Sequence, residues 1–168
     1  RVLPGALWSA LLFTGALGIG RTFAREAEDN AFAAIILSPA SRGAVLVAKI
    51  IVNMILSCGV MLLVIPLLVV MLHVSLQAEA GMIALQVTLG VLGFSVVGTP
   101  LAVIAVNARF PEVLLPMVVF PLVTPVLIAG VTGTGIVLGV TIGDDPWPWI
   151  YFKAAFVVTF GAAGLFLF

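Results

Sequence analysis

The side chains able to do chemistry are few in this chain, and their scarcity narrows the function. It has 168 residues, of which seven are basic and seven acidic, with one histidine and one cysteine. No glycine-rich loop ending in Gly-Lys-Ser/Thr is present, so no nucleotide is expected to be hydrolysed here. Gly15-Ala-Leu-Gly-Ile-Gly20 lacks that lysine and lies in an apolar run, where close helix packing explains it better. No His, Cys and carboxylate set has metal-ligand spacing, and no Ser, His and acid suggest a triad. The lone Cys58 sits among apolar residues and reads as a small buried hydrophobe. No acidic residue falls at mid-membrane depth, which argues against a proton-coupled transporter.

The one concentrated polar stretch is Arg21 to Arg42. Read as a helix, Phe23, Ala27, Ala31 and Ile35 share one face. Arg25, Glu28 and Asp29 share another, where Arg25 can pair with either acid for a few tenths of a kcal/mol. Ser38-Pro39 ends the helix, because proline disfavours the α conformation before it. Two readings follow: an amphipathic linker lying in the membrane interface, or a coupling helix that docks into a cytoplasmic motor subunit.

The elements that position this stretch come from composition. The chain is 63% hydrophobic and 8% charged, with mean hydropathy +1.35. Soluble domains carry about 25% charged residues, so lipid is the natural solvent of this chain. No clustered basic face offers itself to nucleic acid. A span needs about 20 apolar residues. Val2 to Gly20, Ala44 to Leu72, Met82 to Val106 and Val113 to about Val131 qualify, and a further span begins at Ile150. The second run would reach about 44 Å and must tilt or protrude at its Lys49 end. Gly130 to Gly143 is glycine- and threonine-rich yet apolar, and short re-entrant helices are one expectation for it. Gly15, Gly18, Gly90, Gly93, Gly161 and Gly164 mark packing faces. Pro66, Pro100, Pro116, Pro121 and Pro125 are expected to kink their helices.

Orientation follows the basic residues of the short loops. Arg21, Arg25, Arg42, Lys49 and Arg109 fall on one side, which is read as cytoplasmic, and Arg1 and Lys153 are assigned to the other. Arg21–Arg42 and Asn107–Glu112 are thus cytoplasmic, and His73–Gly81 and Asp144–Trp149 periplasmic. The absence of an initial methionine and the apolar final residues suggest a piece of a longer chain, read as a single transmembrane domain over residues 1–168.

Three motifs in order carry a family resemblance: Phe23-Ala-Arg-Glu-Ala-Glu-Asp29, Ile36-Leu-Ser-Pro39 and Val45-Leu-Val-Ala-Lys49. Pro4-Gly5 with Trp8, and Pro121-Leu-Val-Thr-Pro125-Val-Leu-Ile-Ala, add to them. Together they resemble the permease subunit of the cytochrome c maturation ABC transporter, the heme exporter protein B (CcmB) family. Asn30, Gly20 and Ala33 depart from that family's pattern. The resemblance implies an all-α polytopic membrane protein with the ABC-2-type permease fold. Five of six transmembrane helices would be present, with an amphipathic cytoplasmic coupling helix. It implies an inner-membrane location and a non-catalytic subunit, with ATP bound by the partner CcmA. CcmC, CcmD and the heme chaperone CcmE would be further partners, with two permease copies per complex. The coupling helix would dock through Phe23, Arg25, Glu26, Glu28, Asp29 and Phe32.

The resemblance implies either export of heme, a possible substrate, or ATP-driven release of the heme-loaded periplasmic chaperone, and no cofactor is assigned to this chain. His73 is a candidate axial ligand or a polar anchor at the membrane edge. Trp147 and Trp149 are candidate heme contacts or members of an interfacial aromatic belt, and Asp144 and Asp145 read as solvated loop charges. Two other functions fit the same residues: an ABC-2 permease exporting a lipid, polysaccharide or drug, and a membrane scaffold without a transport cycle.

Overall fold

The computed structural model describes residues 2–28, 41–73, 79–105, 111–143 and 145–167; of these, the side chains at 17, 19–28, 42, 111 and 112 are not described. Among the described residues five helices follow one another: α1 (Leu3–Glu28), α2 (Arg42–Leu72), α3 (Ala80–Ala105), α4 (Pro111–Val137) and α5 (Trp147–Leu167). Among the described residues there is no strand. Four of these helices are long and apolar enough to cross a membrane, while the apolar part of α1 is shorter, Leu3–Ala16. α2, at 31 residues, is about 46 Å long and exceeds an upright span, as its sequence suggests.

Local chemistry sets most helix ends. Ser41 has extended backbone and its hydroxyl accepts from the Ala44 amide at 3.3 Å, which starts α2. Asp145 does the same for α5, with Oδ1 accepting from the Trp147 amide at 3.0 Å, so it caps a helix as well as being exposed. α4 ends in a Schellman motif: Val140 N–H donates to Gly135 O at 2.8 Å and Gly139 N–H to Ile136 O at 2.9 Å. Gly139 sits at φ 63°, a left-handed conformation that a glycine enters without steric cost.

Two expectations change. The first helix does not stop at Gly20, where the apolar run ends, but continues through Arg21 and Arg25 to Glu28. A change from apolar to polar side chains alters what a helix touches, not its backbone hydrogen bonding. Gly130 to Val137 are the last turns of α4 rather than re-entrant helices, and only residues 138–143 form the turn beyond it. The prolines at 66, 100, 116, 121 and 125 all lie inside continuous helices.

α3 is the hub and packs on the other four helices, whereas α2 packs mainly on α1 and α3 and leaves most of its surface uncovered. Helices alternate in direction, so α1, α3 and α5 begin at the end where α2 and α4 finish. We call that the His73 end and the opposite one the Ser41 end. The polarity of the bundle is reversed relative to a soluble protein. Leu62, Leu63, Met117, Val158 and Phe166 are exposed, while Asn53, Gln86, Ser95, Thr99, Thr134 and Lys153 are buried. Exposed Thr88, Thr124 and Thr159 each turn the hydroxyl back onto the carbonyl four residues earlier, at 2.8, 2.7 and 2.8 Å. That bond satisfies a hydroxyl on a surface without water.

Candidate functional site

Among the described residues, three of the six buried polar ones, Gln86, Thr134 and Lys153, gather around Trp8 toward the His73 end of the bundle. Trp8, on the second turn of α1, is 1% exposed and lies between α3 and α4. It fits there because Gly90 and Gly130 present no side chain; a Cβ on either would run into the indole ring. Its Nε1–H donates to Thr134 Oγ1 at 3.0 Å, so the ring's polar edge is satisfied inside an apolar core.

Lys153 of α5 lies against the same ring. Its Nζ stands 5.0 Å from the Trp8 ring centroid and donates to Gln86 Oε1 and, at 3.4 Å, to the Gln86 backbone carbonyl. Lys153 and Gln86 are both 0% exposed. Each lies six residues inside its helix, about 9 Å from the end. The Gln86 carboxamide rests against Gly133 of α4, where a Cβ would stand 2.6 Å from Nε2. Four helices thus meet through one polar constellation, with Trp8 from α1, Gln86 from α3, Thr134 from α4 and Lys153 from α5. A cation this deep is costly unless paired, and in membrane proteins such residues concentrate where substrates or ions pass.

By sequence Lys153 counts with the outer side, and it does lie in that half of the bundle, but its amine turns inward rather than to the loop. A lysine near the start of a span can reach outward to the headgroups or inward to a partner. Here the inward partners, two oxygens and an aromatic face, are supplied by α3 and α1, which sequence spacing does not reveal. The signal was a charge and a glutamine, each about two turns into an otherwise apolar run, with glycines in phase to admit a tryptophan.

A smaller pair lies toward the Ser41 end, where Asn53 Nδ2 of α2 donates to Thr99 Oγ1 of α3 at 3.4 Å. Nearby Ser95 Oγ is buried and has no hydrogen-bond partner.

The other sequence candidates are spread out. His73 is exposed and ends α2 in the left-handed conformation, at φ 52° and ψ 40°. Trp147 is exposed at the start of α5 and its ring lies tilted beside Tyr151, with centroids 5.9 Å apart, while Trp149 is half-buried. Phe23, Arg25, Glu26 and Glu28 lie on the last turns of α1, where only the backbone is described; Asp29 and Phe32 lie outside the described residues. Among the described residues no group of three or more His, Cys, Asp or Glu could hold a metal ion.

Comparison with known proteins agrees with this architecture. Heme exporter protein B of Pseudomonas aeruginosa is 28% identical over 127 residues, a stretch covering 76% of this chain and 56% of the relative. The chain therefore spans little more than half that relative's length. The family model described as CcmB protein matches residues 1–167. With that match over almost every residue of an all-helical, lipid-facing bundle, the chain belongs to the CcmB protein family.

Proposed function

We propose that this chain is a membrane-spanning permease subunit of an ABC transporter serving cytochrome c maturation. It couples ATP hydrolysis on a separate cytoplasmic subunit to export of heme or to release of the heme-loaded periplasmic chaperone. The observation that carries the reading is the family match across residues 1–167, together with the name of the Pseudomonas relative. CcmA is the proposed motor, CcmC, CcmD and CcmE the other partners, and the permease works as a pair.

The bundle supports a mechanical account. α1 runs unbroken from Trp8, in the buried constellation, to Glu28 at the Ser41 end. That distance is about 30 Å, the full thickness of the hydrocarbon layer. Phe23, Arg25, Glu26 and Glu28 therefore sit on the same rigid rod as Trp8, with Asp29 and Phe32 following them in sequence. A push on those docking positions reaches the opposite end through helix backbone rather than through a loop. With Lys153 withdrawn into the bundle, Arg1 alone remains of the basic residues assigned to the His73 end. Arg21, Arg25, Arg42 and Lys49 lie on α1 and α2 at the Ser41 end, and the positive-inside rule favours that end as the cytoplasmic one.

Copurification tests this reading. The ATPase subunit is expected to copurify with the full-length protein, and charge reversal at Arg25, Glu26, Glu28 and Asp29 is expected to remove it. Undiminished copurification and ATPase coupling in the reversed variant would refute the docking role. Normal heme delivery with an ATPase-dead partner would refute the motor-coupled function.

A further inference from the structure

Two features of the buried constellation exceed what helix packing requires. The first is charge. Only Glu79 and Asp145 have described acidic side chains; both are exposed and neither is paired with Lys153. The second is an orphaned donor. Gln86 Nε2 is enclosed and has no hydrogen-bond partner. The lysine fixes the orientation of that amide, because Nζ needs the oxygen toward it, and so the NH2 group points elsewhere. Thr134 Oγ1 is already taken by Trp8. The site thus holds an amine and surplus N–H donors, which with the amine protonated are the complement of a carboxylate.

We propose that Lys153 and Gln86 form a carboxylate-binding site for the propionate groups of the heme cargo, an inference that rests on the function proposed above. In the arrangement described here, Gln86 Oε1 occupies the place of a carboxylate oxygen. When cargo is bound, the Gln86 side chain turns so that Nε2 donates to one carboxylate oxygen and Lys153 Nζ to the other. Depth selects this occupant over a lipid headgroup. The site lies about 9 Å inside α5, below the level of lipid phosphates, where a carboxylate arrives only on a molecule that is itself largely apolar. Access requires a motion, since both residues are fully covered. α5 packs along α3 and α4, and Lys153 reaches across to Trp8 of α1. Separating α1 from α5 uncovers the amine, and α1 is the helix that carries the proposed docking positions.

The test uses the full-length protein with its ATPase partner in lipid nanodiscs, titrated with heme and with heme dimethyl ester, whose carboxylates are blocked. Binding is read from the heme absorption band. Lys153→Met is expected to weaken heme binding about tenfold or more, the loss of one charge-assisted hydrogen bond. Lys153→Arg is expected to stay within a few-fold of the native protein. The ester is expected to bind the native protein as weakly as heme binds Lys153→Met, and to be insensitive to that substitution. Equal affinity of the native complex for heme and its ester overturns the site while leaving the proposed cargo standing, and needs no variant to fold. Absence of any heme binding overturns the cargo and the site together.

Discussion

Gly130→Ala and Gly59→Ala are the same substitution in the middle of a helix, yet the structure gives them opposite signs. Alanine is favoured over glycine in a helix interior by about 1 kcal/mol. Gly59 of α2 is exposed, and an added Cβ meets nothing within 4 Å. Its replacement is expected to stabilise the bundle by up to about 1 kcal/mol. At Gly130 the new Cβ would fall on three atoms of the Trp8 indole. The ring cannot step aside, because Gly90 presses on it in the same way and Thr134 holds its Nε1. Overpacking of a filled core costs about 1–3 kcal/mol. Weakening the Trp8–Thr134 bond adds about 0.6 kcal/mol, the average for hydrogen bonds between membrane helices. After the alanine preference is subtracted, Gly130→Ala is expected to destabilise by roughly 0.5–2.5 kcal/mol. The assay is reversible unfolding in mixed micelles with increasing denaturing detergent, followed by far-ultraviolet circular dichroism. A Gly130→Ala protein as stable as Gly59→Ala would refute the enclosed position of Trp8, and with it the constellation built around that ring.

Three further outcomes are expected. In a double-mutant cycle, Trp8→Phe and Thr134→Val are expected to couple by about 0.6 kcal/mol and by no more than about 1.7, measured in the same unfolding assay; additive effects would mean the bond is absent. Asp145→Ala removes the cap of α5 and is expected to cost about 1 kcal/mol, while Asp145→Asn keeps the acceptor and most of the stability. His73→Gly suits the left-handed end of α2, so stability is expected to stay level or rise by up to about 1 kcal/mol, with heme binding by the intact complex unchanged. A selective loss of the heme spectrum in that variant would instead make His73 a ligand.

The span positions were legible because a helix in lipid must satisfy its backbone internally and be apolar along its whole length. The predicted runs from Ala44 and Met82 match α2 and α3 to within about two residues, within the usual uncertainty of helix ends. The local caps at Ser41, Gly139 and Asp145 emerged only with the structure, and composition suggested a break at Gly20 that the backbone does not make. The family was legible in short ordered motifs, from Phe23 to Lys49, that survive one by one along the chain.

The candidate site was not legible in this way. In water, hydrophobic periodicity tells the buried face of a helix from the exposed one; in lipid both faces are apolar, and that signal vanishes. Lys153, Gln86, Trp8 and Thr134 come from four helices and span most of the chain, so their meeting depends on how α1, α4 and α5 are arranged around α3. A lysine two turns inside a span can snorkel outward or turn inward, and local sequence does not choose between them. What chose was Gln86 on α3, with its oxygens facing α5, and the room that Gly90 and Gly130 leave for Trp8. Composition and hydropathy thus settled that these helices live in lipid, whereas packing alone decided that the one buried lysine turns inward to an amide and an indole, away from the headgroups.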